Sequence, residues 1–260
     1  MNIHELPKIA IDGAVFAIDA KTKALIDQDN HANAMNIEKY RGSHEYFILY
    51  DKERRTLAEG HDRMPGDYDR LIRIRLPIHL GQLHAMPTDE EIKQINEKAQ
   101  ANGMNFAMVD SALNERLSGR LPKIDVHGDQ FTVDWRLKEL RSDTTFAPLR
   151  FNDFDVSPDG DKYLFLYHKP SQSLVFLDSD ITELPKDTFL VEVDNELVLD
   201  PVATAREYML DDAAFYPNRP FILQHTAKVT PIEETYLVEL VEQNRTQRDT
   251  DGRDEGIRQR

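Results

Sequence analysis

The stretch Leu6-Pro-Lys-Ile-Ala-Ile-Asp-Gly-Ala-Val-Phe-Ala-Ile-Asp19 recurs later in the chain as Leu121-Pro-Lys-Ile-Asp-Val-His-Gly-Asp-Gln-Phe-Thr-Val-Asp134. Over residues 6–25 against residues 121–140, nine of twenty positions are identical and two more exchange Ile for Val. An ungapped match of this density indicates an internal duplication, and a repeat constrains the fold before any single element does.

The repeat continues at larger offsets. Tyr46-Phe-Ile-Leu-Tyr50 matches Tyr163-Leu-Phe-Leu-Tyr167 at an offset of 117, and Leu71-Ile-Arg-Ile74 resembles Leu190-Val-Glu-Val193 at an offset of 119. The increase from 115 to 119 predicts small loop insertions in the second copy.

We therefore expect two related domains, at residues 1–117 and 118–243, followed by a tail at residues 244–260. In the tail Ile257 is the one aliphatic residue among Arg, Asp, Gln and Gly. So little apolar surface cannot offset the entropy of ordering a chain, and we expect the tail to be disordered.

Turn and cap residues predict the start of each domain. Gly13 and Gly128 each separate two short apolar runs, and Gly accepts the positive φ of a tight hairpin turn. Asp19 and Asp134 follow the second run and precede residues with helical spacing, so we expect each carboxylate to cap a helix.

The remaining elements predict the fold class. Later strands are predicted in pairs at 46–50 and 163–168, 55–58 and 174–177, and 71–76 and 188–193. Thr88-Asp-Glu-Glu91 is a capping box, and Asp200-Pro201 places a cap before an N1 proline. We expect an α+β fold of two tandem related domains, each a small, mostly antiparallel sheet with short helices. Residues 230–243 fit a helix and a strand equally well.

Composition and charge exclude several classes of function. The 260 residues include 47 acidic and 32 basic side chains, a formal charge of -15, and residues 116–260 hold 28 of the acidic ones. Such a chain repels phosphate backbones and anionic membranes, so we expect neither direct nucleic-acid binding nor membrane binding. The absence of cysteine excludes disulfides, thiolate zinc sites and cysteine nucleophiles.

The sequence shows no motif for catalysis, cofactor binding or targeting. Phosphate-binding glycine loops, zinc-protease helices and the nucleophile elbow are all missing, and the closest histidines, His79 and His84, lack helical spacing. We expect no cofactor and no metal. The first seven residues lack the basic and apolar regions of a secretory signal, which favours a cytoplasmic location.

Residues that differ between the copies are the candidates for partner contact. Trp135, the only tryptophan, lies where the first copy has Ala20. Arg136, Asp129 and Gln130 differ from their counterparts as well. We expect the indole to be partly exposed or to lie at the junction of the copies, where it would anchor a partner. A core tryptophan is the alternative interpretation.

The stretch from Leu121 to Arg141, with Tyr163–Tyr167 and Leu199-Asp-Pro201, resembles a bacterial domain-of-unknown-function family that is carried on plasmids and conjugative elements. The first copy departs from this pattern, because Gly81-Gln82 stands where the pattern has Asp-Pro. The resemblance implies a bacterial, mobile-element setting and supplies no catalytic residue.

We hypothesise a non-enzymatic tandem-domain protein that binds another protein, of basic character, as an accessory to a mobile element. Two alternatives stay open. One is an acidic mimic or inhibitor of a nucleic-acid-binding protein, and the other is an enzyme with its site in an interdomain cleft. The oligomeric state is left open as well.

Overall fold

The computed structural model describes residues 3–58 and 69–258. The fold is α+β, with several mainly antiparallel sheets and few helices, as the sequence predicts. The chain divides into two units. Unit 1 comprises Met1–Arg120 and Asp200–Ile222, and unit 2 comprises Leu121–Leu199 and Leu223–Arg260.

The strands of unit 1 form two sheets. In its described residues they are β1 (Lys8–Ile11), β2 (Ala14–Asp19), β3 (Ala24–Asp27), β4 (Ala34–Asn36), β5 (Glu45–Asp51), β6 (Thr56–Leu57), β7 (Leu71–Pro77) and β8 (Ala107–Met108). One sheet has the order β4-β3-β2-β1-β8 and the other the order β6-β5-β7. The core between them includes Phe16 and Tyr50, whose rings meet edge to face with centroids 5.9 Å apart.

The strands of unit 2 also form two sheets. They are β9 (Lys123–Val126), β10 (Asp129–Asp134), β11 (Glu139–Ser142), β12 (Pro148–Arg150), β13 (Asp155–Val156), β14 (Lys162–His168), β15 (Ser173–Leu174), β16 (Thr188–Asp194), β17 (Gln224–Thr226) and β18 (Lys228–Pro231). One sheet has the order β12-β11-β10-β9-β17, and the other the order β13-β14-β16-β18 with β15 beside β14. Phe131 and Tyr167 meet edge to face in this core, at 6.0 Å.

The α-helices of the described residues are α1 (Asp89–Ala101), α2 (Ser111–Leu117), α3 (Glu196–Leu199), α4 (Pro201–Glu207) and α5 (Leu237–Arg258). The predicted capping box of α1 is confirmed, because the Thr88 hydroxyl accepts from Glu91 N and the Glu91 carboxylate accepts from Thr88 N. Asp200 caps α4 by accepting from Ala203 N at 3.0 Å. Helix α4 nevertheless belongs to unit 1, although its residues fall within the range 118–243 expected for the second domain.

Both glycine turns are confirmed. The β1–β2 hairpin turns at Asp12-Gly13, with φ of 50° and 88°, and the β9–β10 hairpin turns at His127-Gly128, with φ of 55° and 88°. Positive φ at both central residues is the geometry of a type I′ turn, one of the two turns that two-residue hairpins favour. At Gly13 an added Cβ would also lie 3.1 Å from the Ala214 Cα, a contact closer than ordinary van der Waals distance.

The helices predicted after Asp19 and Asp134 are absent. Each aspartate instead caps the turn of a hairpin: the Asp19 carboxylate accepts from Lys21 N at 2.9 Å, and Asp134 accepts from Leu137 N at 3.0 Å. The chain then pairs back as β3 or β11. A few residues between paired strands are too short for a helix, whose first turn is costly to nucleate.

Strand pairing in the two units follows one register. Each Cα pair of β5 and β7, from Glu45 opposite Pro77 onward, recurs 117 residues later in β14 and β16, from Lys162 opposite Asp194. The sequence match at an offset of 119 is therefore displaced by two residues. A shift of two keeps every side chain on the same face of a strand, so residue similarity does not detect it.

The C-terminal segment is helical where we expected a disordered tail from residue 244. Residues 228–231 form β18, and α5 begins at Leu237, which resolves the ambiguous segment. Asn244 donates to the Ser179 and Ile181 carbonyls at 2.9 Å each, so side-chain contacts continue beyond the predicted boundary. Once a helix is nucleated, each further residue adds one backbone hydrogen bond.

Candidate partner-binding groove

Trp135 is a core residue of unit 2. Its side chain is 7 % exposed, and its ring lies 5.0 Å from Phe151 and 6.2 Å from Tyr163, between centroids. The Lys138 ammonium covers the indole at 3.6 Å from the ring centroid. The expectation of a partly exposed tryptophan is therefore wrong, because an aromatic cluster in the same unit removes the large ring from water.

The other three candidate residues do not form one surface with Trp135. Arg136 is exposed beside it, whereas Asp129 and Gln130 lie at the opposite end of β10, about 20 Å away at the usual strand rise. Asp129 accepts from the Tyr167 hydroxyl at 2.7 Å and from Gln172 Nε2 at 2.9 Å. These contacts tie Asp129 into unit 2, and burial raises the pKa of the Tyr167 phenol.

An apolar floor lies on the outer face of the second sheet of unit 2. Along β14, Phe165 and Tyr167 are buried, while Leu164 and Leu166 alternate with them and are half-buried on the other face. Leu190 of β16 lies directly opposite Leu166. The run Tyr163–Tyr167 has no polar alternation, and such a run indicates a strand with both faces apolar. The sequence of β14 therefore carries the signal for an apolar outer face.

Two walls turn this floor into a groove of about 360 Å³. One wall is the start of α5 with Tyr236 before it, and the other is the chain from Val175 to Ser179. Phe176 is 74 % exposed and Tyr236 is 71 % exposed, although both rings line the groove. Large aromatic groups left in water beside an apolar floor are typical of a docking site.

The rim of the groove is acidic. Asp153, Asp155 and Asp178 line it, and each is exposed. Asp155 lies opposite Leu164 in the β13–β14 pairing, so its carboxylate borders the apolar floor. Within the described chain no cation forms an ion pair with any of the three. Glu192, on the same face, is neutralised by Lys228 at 2.6 Å.

The equivalent face of unit 1 carries two arginines instead of a carboxylate rim. Phe47 lies opposite Arg75 and Leu49 lies opposite Arg73 in the β5–β7 pairing. Phe47 is 58 % exposed, and Arg75 is held by the Glu45 carboxylate at 2.8 Å. The acidic apolar groove is therefore a feature of unit 2 that the shared strand pairing does not impose on unit 1.

A polar cluster in unit 1, formed by Asn96, Asp110 and Tyr216, holds the backbone of β8 in place. Asn96 accepts from Met108 N at 2.6 Å and donates to Met108 O at 2.9 Å, so it completes the hydrogen bonds of β8. The Tyr216 hydroxyl lies 2.8 Å from Met108 O and 3.2 Å from an oxygen of Asp110. Clefts of about 580 and 400 Å³ adjoin these residues, and burial raises the pKa of Asp110.

The described residues hold no group of three or more His, Asp and Glu side chains placed to bind a metal ion. Among the same residues, none of the helices has the length and apolar character needed to cross a membrane. Comparison of the chain with family models, curated proteins and solved structures finds no match. The groove of unit 2 is therefore the feature from which a function can be inferred.

Proposed function

We propose that this protein acts by binding another protein, without catalysis of its own, and that the groove of unit 2 holds the partner. The observation that carries the proposal is the exposure of Phe176 and Tyr236 beside a continuous apolar floor. Covering these rings removes a large apolar area from water, which is the main source of affinity at the centre of a protein interface.

We also propose that the two units derive from one duplicated domain. The β1–β2 pairs recur 115 residues later in β9 and β10, and the β5–β7 pairs recur 117 residues later in β14 and β16. Lys23 and Lys138, also 115 apart, both adopt positive φ. Such a history supports a binding role, because a shared scaffold leaves the outer faces free to diverge.

The setting of the protein is part of the proposal. We place it in the cytoplasm as an accessory protein of a bacterial mobile element, a role that rests on the resemblance of residues 121–141 to plasmid-borne domains. The acidic character of residues 116–260 makes a basic partner the natural counterpart.

The test compares two matched aromatic truncations in the full chain. Phe176→Ala removes a ring from the groove, and Phe47→Ala removes an exposed ring from the equivalent face of unit 1. Both should change the free energy of unfolding by no more than about 0.5 kcal/mol, because exposed side chains contribute little to stability. Partner capture, followed by crosslinking and mass spectrometry, should fall for Phe176→Ala alone.

Equal capture by the wild type and by Phe176→Ala would contradict the proposal. Tyr236→Ala provides a second variant on the other wall of the groove, and it should weaken capture of the same partner. Loss of capture in the Phe47→Ala protein as well would point to a surface other than the groove.

A further inference from the structure

We infer that the groove of unit 2 binds a basic amphipathic segment, in which Lys or Arg residues flank apolar side chains. The inference rests on the proposed function, since it names the chemistry of the partner for the same groove. It follows from the combination of an apolar floor with an acidic rim, because an interface requires complementary charge around its apolar centre.

The positions of the carboxylates define what the segment must carry. Asp155 borders the floor at Leu164, and Asp178 lies just beyond Phe176 in the chain that follows β15; β13 and β15 both pair with the same edge of β14. A segment whose apolar side chains cover Leu164 and Leu166 would thus lie beside these rim carboxylates. Basic residues next to those apolar side chains would reach the rim while their own alkyl stems cover the floor.

The loop that carries Asp178 and Asp180 already binds guanidinium groups within unit 2. Arg248 of α5 donates to the carbonyl and the carboxylate of Asp180, both at 3.0 Å. Arg245 donates to the Thr182 carbonyl at 2.6 Å. Asp178, two residues before Asp180, faces the groove and has no such partner in the described chain. Carbonyl and carboxylate oxygens of this loop therefore bind arginine side chains of α5, and the Asp178 carboxylate is available to a partner.

Charge argues against a second copy of the chain as the occupant. Each copy carries a formal charge of -15, so two copies repel one another over the distance at which association begins. The face of unit 1 that carries Arg73 and Arg75 is a weak counterpart, because Glu45 already engages Arg75. A basic segment from another protein meets no such opposition.

The test uses three synthetic amphipathic peptides with the same leucine pattern and with Lys, Gln or Glu at every polar position. Binding to the full chain is followed by fluorescence anisotropy at low and high salt. The Lys peptide should bind most tightly, and added salt should weaken it because the rim carboxylates are exposed and screened. Phe176→Ala should weaken the Lys peptide about tenfold or more, as expected for an aromatic anchor.

Two triple variants, each of which removes three negative charges, distinguish the effect of the rim carboxylates from the effect of the net charge. The first variant combines Asp153→Asn, Asp155→Asn and Asp178→Asn. It should weaken binding of the Lys peptide and reduce the salt dependence of that binding. The control, Glu53→Gln with Glu90→Gln and Glu97→Gln, neutralises three exposed carboxylates of unit 1 that do not line the groove. Equal losses in both triple variants would overturn the inference, since net charge would then be the cause.

The remaining outcomes distinguish the inference from the proposed function. If the Gln peptide binds as tightly as the Lys peptide and both depend on Phe176, the groove binds partners but the basic chemistry is wrong. If no peptide depends on Phe176 and the Phe176→Ala protein retains its captured partner, both the inference and the proposed function fail. Sedimentation that shows dimers of the wild type, lost in both Phe176→Ala and Arg73→Ala, would make a second copy the occupant.

Discussion

Arg116 and Asp200, 84 residues apart in the chain, form a buried ion pair inside unit 1. Arg116 Nε lies 3.1 Å from both carboxylate oxygens and Nη2 lies 3.0 Å from Oδ2, while the two side chains are 5 % and 0 % exposed. Asp200 also caps α4. The pair thus holds the segment Asp200–Ile222 in unit 1, although this segment follows most of unit 2 in sequence.

Arg116→Met should lower the free energy of unfolding by about 3–5 kcal/mol, because it leaves the Asp200 carboxylate buried without its cation. Urea denaturation of the full chain measures the change. Arg206→Met is the control, since it breaks the ion pair with Asp212 where the arginine is 49 % exposed. That surface pair should contribute no more than about 1 kcal/mol. Similar losses of unfolding free energy in the two variants would show that the buried Asp200 carboxylate does not need the Arg116 cation.

Asp110→Asn should stabilise the protein increasingly as the pH rises from acid to neutral. Burial raises the pKa of Asp110, so the folded state favours the protonated acid. That favourable contribution is complete below the unfolded pKa and is lost as the pH rises through the folded pKa. Asparagine stays neutral and can still cap α2 by accepting from Leu113 N. The measurement is the difference in unfolding free energy between variant and wild type across this pH range.

Asp143→Asn serves as a control of opposite sign. The Lys123 ammonium holds the pKa of Asp143 below its usual range, so the charged form stabilises the folded state above the unfolded pKa. This variant should lose stability relative to wild type as the pH rises. Parallel pH profiles for Asp110→Asn and Asp143→Asn would contradict both assignments.

Trp135→Ala should destabilise the protein by about 3–5 kcal/mol, the usual cost of deleting a core aromatic side chain. The same indole, the only one in the chain, should report the unfolding of unit 2 by a red shift of its fluorescence. Phe146→Ala, at a ring 72 % exposed, is the comparison and should leave the melting temperature nearly unchanged. An unchanged melting temperature for Trp135→Ala, with weaker partner capture, would restore the sequence-based hypothesis.

Asn244→Ala should lower the free energy of unfolding by about 1–2 kcal/mol, because the Ser179 and Ile181 carbonyls each lose a hydrogen bond. Gln243→Ala, at the exposed neighbouring position, is the matched control and should have little effect. Thermal unfolding of the two variants compares them directly. Identical curves would mean that the segment from residue 244 does not dock, as the sequence suggested.

Local elements could be predicted where the deciding residues are close in sequence. The turn at Gly13 depends on the conformation of two residues, and the start of α1 depends on Thr88 and Glu91. The helix expected after Asp19 was wrong for a related reason. An aspartate caps the amides that follow it in a helix and in a hairpin turn alike, and the pairing of β3 with β2 decides between them.

The sequence by itself determined the hairpins, the main strands, the caps of α1 and α4 and the acidic charge of the second half, because these depend on neighbouring residues or on composition. The tertiary structure alone decided that Trp135 is buried, that Asp200 joins Arg116, and that Phe176 and Tyr236 line one groove. Phe176 and Tyr236 are 60 residues apart, and nothing within a few positions of either encodes the other. Such contacts depend on the path of the whole chain, which sets which apolar surfaces are covered and which remain for a partner.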